Sequence, residues 1–283
     1  VAYIGPHFGE EPPITGTRGS GTVFFTGCSL KCAFCQNVQI SRDGMGEPIS
    51  WEALFEAIVE MVRDKGVHNI NFVTPDHFLP HVTRLVDRFR QEGHALPVVM
   101  NLSGYQSTEM LQRAERAVDI YLPDYKYADT RLAASLSACP DYPTVALNAL
   151  SEMLKQKGFL TTCNRNGGLA LRGVLARHLI LPGHIQNSVD ALSSLYVEFG
   201  PELPVSLMSQ YHPVGPGSGD VPNRGIYAEE FERVFSHAEE LGFEKVFVQF
   251  PDEHAAKTRP SSQFLPDFRE TAPFGKQATE NIE

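Results

Sequence analysis

The chain has 283 residues, 42% hydrophobic and 20% charged, with a formal net charge of −10. That length buries a full core and suits one large α/β domain or two small ones. The acidic balance, with no basic run, excludes loose phosphate-backbone binding and makes nucleic acid a poor partner; no stretch approaches the ~20 apolar residues of a membrane helix.

The chain begins at Val1, without methionine or a signal-peptide pattern, so the true N-terminus is expected to have been removed or to lie upstream. "HFGEEPPI" (7–14) sets a histidine beside two carboxylates and reads as a solvated loop, with a metal or substrate site as the alternative. "TVFFTG" (22–27) is a strand ending just before a cysteine cluster. "SWEALFEAIVEMVRDKG" (50–66) puts Leu54, Phe55, Ile58, Met61 and Val62 on one helical face, with Ser50 as cap and Gly66 as stop. The strand "NINFVT" (69–74) precedes a helix that carries Phe78, Val82, Leu85, Val86 and Phe89 and closes at Gly93. "PVVMNL" (97–102) is a strand, 107–118 a helix capped by Ser107, and "DIYLPD" (119–124) a strand. A helix over 142–158 follows, then the strand "GVLARHLIL" (173–181) and a helix over 188–200. The strand "PVSLMSQ" (204–210), a helix over 228–242 and one more strand over 245–250 complete the pattern.

Strand and helix thus alternate six times, which implies an α/β fold with parallel strands and right-handed crossovers. The pattern fits an open doubly wound sheet or a barrel, closed or partial. Residues 251–283 are Pro-rich, polar and aperiodic, and read as an irregular tail after a single domain over 1–250.

Three of the five cysteines, Cys28, Cys32 and Cys35, lie within "GCSLKCAFCQN", spaced C-x3-C-x2-C. Without a secretion signal the reducing cytosol is the expected compartment, where clustered cysteines serve metal or redox chemistry more often than crosslinks. A disulfide leaves an odd thiol. Structural zinc wants four ligands, and Cys139 and Cys163 do not form a second pair; both read as free thiols. A [4Fe–4S] cluster is normally held by thiolates, and three of them leave one iron open to a small molecule. The loop follows a strand, and in barrels and parallel sheets chemistry sits at the C-terminal strand ends.

C-x3-C-x2-C with an aromatic, Phe34, before the third cysteine resembles the signature of the radical S-adenosylmethionine (SAM) enzymes. "GSGTVFFTGCSLKCAFCQN" is similar to the opening of the pyruvate formate-lyase activating enzymes. "HFGEEPPITGTRGSG", "NINFVTPDHF", "YLPDYKYAD", "RHLILPG", "LMSQYHPV" and "FLPDF" resemble a largely uncharacterised activating-enzyme-like branch. The resemblance spans residues 7–268 and implies a partial (β/α)6 barrel as catalytic domain. It implies a [4Fe–4S] cluster on the three cysteines and SAM on the open iron. It further implies a low-potential electron donor of the flavodoxin or ferredoxin type, and a 5′-deoxyadenosyl radical that abstracts hydrogen from a substrate. That substrate is a glycine of a partner protein, for a glycyl-radical-enzyme activase, or alternatively another peptide or small molecule. A non-catalytic iron–sulfur protein is the other alternative; electron-transfer clusters usually have four protein ligands.

Strand-end residues two apart share a face. "FVTPDH" stands where many relatives carry Gly-Gly-Glu, so the Thr74 hydroxyl and local backbone are the substitutes there, or else Asp76 simply caps a turn. Asn101 and Ser103 share a face before Gly104 and are candidate contacts to SAM. Asp124 and Lys126 resemble the Asp-x-Lys that contacts SAM in the activating enzymes; the alternative is a surface ion pair. Arg177 and His178 interrupt an apolar run on opposite faces and are the candidate catalytic or SAM-contacting pair. Gln210, with Tyr211 and His212, is a candidate border of the adenine or substrate.

Overall fold

A computed structural model describes residues 1–163, 168–214, 220–251 and 265–275. Strand β1 (Tyr3–His7) opens the chain and pairs antiparallel with β2 (Ser20–Phe24), across a short helix α1 (Pro12–Thr15). The cysteine loop leads through α2 (Val38–Ser41) into α3 (Trp51–Lys65). Helix α3 forms where the periodicity places it: Ser50 accepts the Ala53 amide hydrogen, and Gly66 ends it in the left-handed region.

Strands β3 (Ile70–Val73), β4 (Val98–Leu102) and β5 (Ile120–Pro123) then add in parallel to β2, linked by α4 (Leu79–Gln91) and α5 (Thr108–Ala114). After β5 come α6 (Thr130–Ser137), α7 (Tyr142–Lys157), the hairpin strands β6 (Thr161–Cys163) and β7 (Leu169–Val174), and β8 (Ala176–Leu179). Helix α8 (Ile185–Phe199), β9 (Val205–Met208), α9 (Ala228–Leu241) and β10 (Val246–Gln249) complete the series. A seven-stranded sheet, β1-β2-β3-β4-β5-β7-β6, and a three-stranded sheet, β8-β9-β10, are joined by a parallel bridge from Asp124 to Arg177. The parallel strands β2-β3-β4-β5-β8-β9-β10 form the expected partial (β/α)6 barrel with one extra edge strand. Among the described residues β10 pairs with β9 alone, and the barrel stays open on that side.

The single strand expected over 173–181 is instead two, in different sheets. The cause is Gly173, at φ +123, whose Cα lies so close to the Phe159 carbonyl that a Cβ would fall 2.4 Å from it. The chain kinks there, pairs briefly with β5, and then passes to β9.

Alternation sets the two faces. Val23, Phe72, Met100, Tyr121, Ala176 and Leu207 point outward into the main core with the helices. Val99, Ile120, Leu122 and Leu175 point inward and, with Ile14, Leu160 and Ala170, plug the barrel floor. One step further along the same inward faces the residues become polar.

Of the expected tail, residues 252–264 and 276–283 lie outside the described residues. Residues 265–275 form neither helix nor strand, yet Phe268 and Phe274 are buried against Phe24, Ile40 and Val73. Gln39 holds this segment, accepting from the Phe268 amide at 2.7 Å and donating to Asp267 Oδ1 at 3.1 Å. No helix among the described residues is long and apolar enough to cross a membrane.

Candidate active site

The strand ends open into a cavity of about 460 Å³. Cys28, Cys32 and Cys35 line it, as do Thr74, Asn101, Ser103, Asp124, Lys126, Arg177 and Gln210. Residues from five strand ends and one loop, spread over 28–210, therefore share one space.

The cysteines are free thiols, as are Cys139 and Cys163. Cys32 and Cys35 each accept a hydroxyl hydrogen bond, from Ser137 at 3.1 Å and Ser41 at 3.3 Å. Burial pushes the Cys32 thiol up to about 11, with Lys126 and Ser137 pulling the other way. Among the described residues, no three His, Cys, Asp or Glu side chains converge to hold a single metal ion. A cluster asks for something different: each thiolate on its own iron, around a shared space, with hydrogen bonds to the sulfurs. The three cysteines line one cavity and two of them already accept such bonds, which fits that demand.

Lys126 Nζ is paired with Asp124 Oδ2, both side chains mostly buried within the cavity wall. The surface ion pair is thereby excluded. Burial works against the Lys126 ammonium, but Asp124 and then Cys32 outweigh it, and its pKa rises. Tyr142, which sequence reasoning did not single out, fixes these strand ends. Its buried hydroxyl lies 2.8 Å from the carbonyl oxygens of both Ser103 and Asp124, which share its one hydrogen, and accepts from the Lys126 amide at 3.1 Å. Gly104 lets the two strand ends meet; at φ +84, a Cβ there would lie 2.0 Å from the Asp124 carbonyl oxygen.

Thr74 has φ +52, an outlier for a β-branched residue, and its amide donates to the Asn101 carbonyl at 3.1 Å. Asp76 does not cap the following turn. It accepts from Gln106, which also donates to Ser103 Oγ at 3.0 Å, and so buttresses the end of β4. Gln36, next to Cys35, donates to the Gln210 carbonyl and ties the cysteine loop to the end of β9.

Two expectations are corrected. His178 faces away from the cavity: it is fully buried, one ring nitrogen 2.6 Å from the Tyr125 carbonyl and the other 2.9 Å from Ser188 Oγ. Burial lowers its pKa to about 4, so it is a neutral core residue. The segment 7–14 is no solvated loop. Glu10 and Glu11 enter the barrel and hold Arg177, Glu11 accepting from its Nε at 2.9 Å and Glu10 also from Asn71 at 2.9 Å. All three charged side chains are 7% exposed. Burial opposes the Glu10 carboxylate, but Arg177 and His7 outweigh it and hold its pKa low. Arg177 is thus committed to the cavity wall.

The three-thiol loop thus follows the first parallel strand of a partial barrel and faces its cavity. Residues 15–131 match the family described as a 4Fe-4S single cluster domain. The chain is similar to an uncharacterized protein of Methanocaldococcus jannaschii, 26% identical over 249 residues that cover 85% of this chain and 67% of that one. Its fold is similar to Streptococcus suis SuiB bound to S-adenosylmethionine, at 12% identity and TM-score 0.51, over 83% of this chain and 52% of SuiB. It is also similar to methylornithine synthase (PylB), at 12% identity and TM-score 0.52, over 96% of this chain and 80% of that one. The chain thus spans about half the length of SuiB. The match over residues 15–131 is to an iron–sulfur domain family, and at 12% identity the likeness to these solved structures is one of fold.

Proposed function

We propose that Cys28, Cys32 and Cys35 hold a [4Fe–4S] cluster, that SAM completes its coordination, and that the protein uses both to take a hydrogen atom from a substrate. The observation that carries this reading is the cavity shared by three thiols and the polar ends of the barrel strands. Held by these three cysteines and reduced, such a cluster would supply the electron for reductive cleavage of SAM. The protein's part is binding and orientation. Lys126 meets the SAM carboxylate, and Asp124 the ribose hydroxyls, from a strand end locked by Tyr142. Asn101, Ser103 and the backbone at Thr74 receive the methionine end, while Gln210 borders the adenosine.

The hydrogen donor we infer is a backbone glycine of a partner protein, with electrons arriving from a flavodoxin- or ferredoxin-type donor. The support is the resemblance of the blocks between residues 7 and 268 to the activating-enzyme-like branch. The test is electron paramagnetic resonance (EPR) on anaerobically loaded protein. SAM is expected to perturb the signal of the reduced cluster, and a candidate partner to gain a glycyl radical signal. An unperturbed cluster signal would sink the SAM site. SAM cleavage with no radical on any partner would instead indicate a peptide or small-molecule substrate.

A further inference from the structure

The end of α6 is docked on the cysteine loop. The Ala33 amide donates to the Leu136 carbonyl at 2.8 Å, and Ser137 Oγ lies 3.1 Å from Cys32 Sγ. Behind Ser137 stands Tyr127, its hydroxyl 2.6 Å from Ser137 Oγ. Tyr127 is 0%, Ser137 4% and Cys32 8% exposed, so water does not compete for these bonds.

A serine hydroxyl carries one hydrogen. A ligating cysteine is a thiolate, which accepts and cannot donate. With Cys32 as ligand, the Ser137 hydrogen goes to the sulfur, and Tyr127 must supply its own hydrogen to Ser137 Oγ. Direction is thereby fixed: Tyr127 to Ser137 to Cys32. Burial raises the Tyr127 pKa, so the phenol keeps its proton. In a chain of this kind each donor polarises the next.

Resting on the cluster assignment above, we propose that Tyr127 and Ser137 form a hydroxyl relay that raises the reduction potential of the cluster. Reduction adds one electron, and part of that charge falls on the cysteine sulfurs. A hydrogen bond to Cys32 stabilises the reduced state more than the oxidised one, which is how such bonds tune cluster potentials. Both residues act through Cys32 and are positioning residues.

The experiment is a potentiometric titration of the anaerobically loaded protein without SAM, read by EPR of the reduced cluster. Ser137→Ala should lower the midpoint by ~59 mV, a tenfold fall in the reduced-to-oxidised ratio at fixed potential. Tyr127→Phe, which keeps Ser137 and removes one oxygen, should lower it by less. The double variant should match Ser137→Ala, because Tyr127 acts only through Ser137. Iron content should equal that of the wild type. Should Ser137→Ala fail to load, Tyr127→Phe decides alone. Unchanged midpoints in loaded variants, or additive shifts in the double, overturn the relay and leave the cluster assignment standing. A wild-type protein that binds no cluster overturns both.

Discussion

Arg177 stands between Glu10 and Glu11 in the barrel interior, so removing it strands two carboxylates away from water. Arg177→Met should cost about 3–5 kcal/mol in urea unfolding, whereas replacing all three residues with apolar ones should cost far less. Equal losses would show that the charges are solvated. Lys126 pairs with Asp124 beside the cysteines, and its ammonium is the cation proposed to meet the SAM carboxylate. Lys126→Ala should leave the iron content intact and weaken SAM binding about tenfold, ~1.4 kcal/mol; an unchanged affinity in equilibrium dialysis removes that role. The three thiols that line the cavity were legible in the sequence because all three lie within eight positions. The burial of Glu10 and Glu11 was not, because their partner lies 166 to 167 residues away.

At the scale of elements, His178 belongs to the packing of β8 against α8, through Ser188. Its folded pKa of about 4 lies below the ordinary 6.5. The neutral form therefore favours folding fully above pH 6.5, and that contribution is lost as pH falls toward 4, on the order of 3 kcal/mol. His178→Leu should lower stability at pH 7 and flatten this acid limb, while SAM cleavage per folded molecule is retained. An unaltered acid limb, or lost cleavage in folded protein, would return His178 to the site. The long helices were legible because periodicity and caps agree, as in α3. Helix α6 was missed: it has eight residues, and Ala138, not glycine, takes the left-handed position at its end. Strand β1 was missed because Gly5 and Pro6 break its pattern and its one partner is antiparallel.

For the whole molecule, the barrel has two added walls, the segment at 7–14 and the segment 265–275, and both reach the cavity through residues such as Glu10 and Phe274. The Phe274 ring packs 4.2 Å from His7 and 5.2 Å from Phe24. Phe274→Ala should destabilise the protein by about 3 kcal/mol; an unchanged melting temperature would make that segment a loose tail. The strand–helix alternation displayed the architecture, but the inward turn of these walls depends on contacts between residues far apart in the chain, which local pattern does not encode. What unites the walls, the strand ends and the cysteine loop is the proposed cleavage of SAM on a three-cysteine cluster. The most direct measurement is 5′-deoxyadenosine formed by anaerobically loaded protein given dithionite and SAM, beside Cys32→Ala treated identically. The account predicts reductant-dependent product from the wild type and none from the variant, which should also lose the brown colour. Wild-type protein with a full cluster that forms no 5′-deoxyadenosine would contradict it.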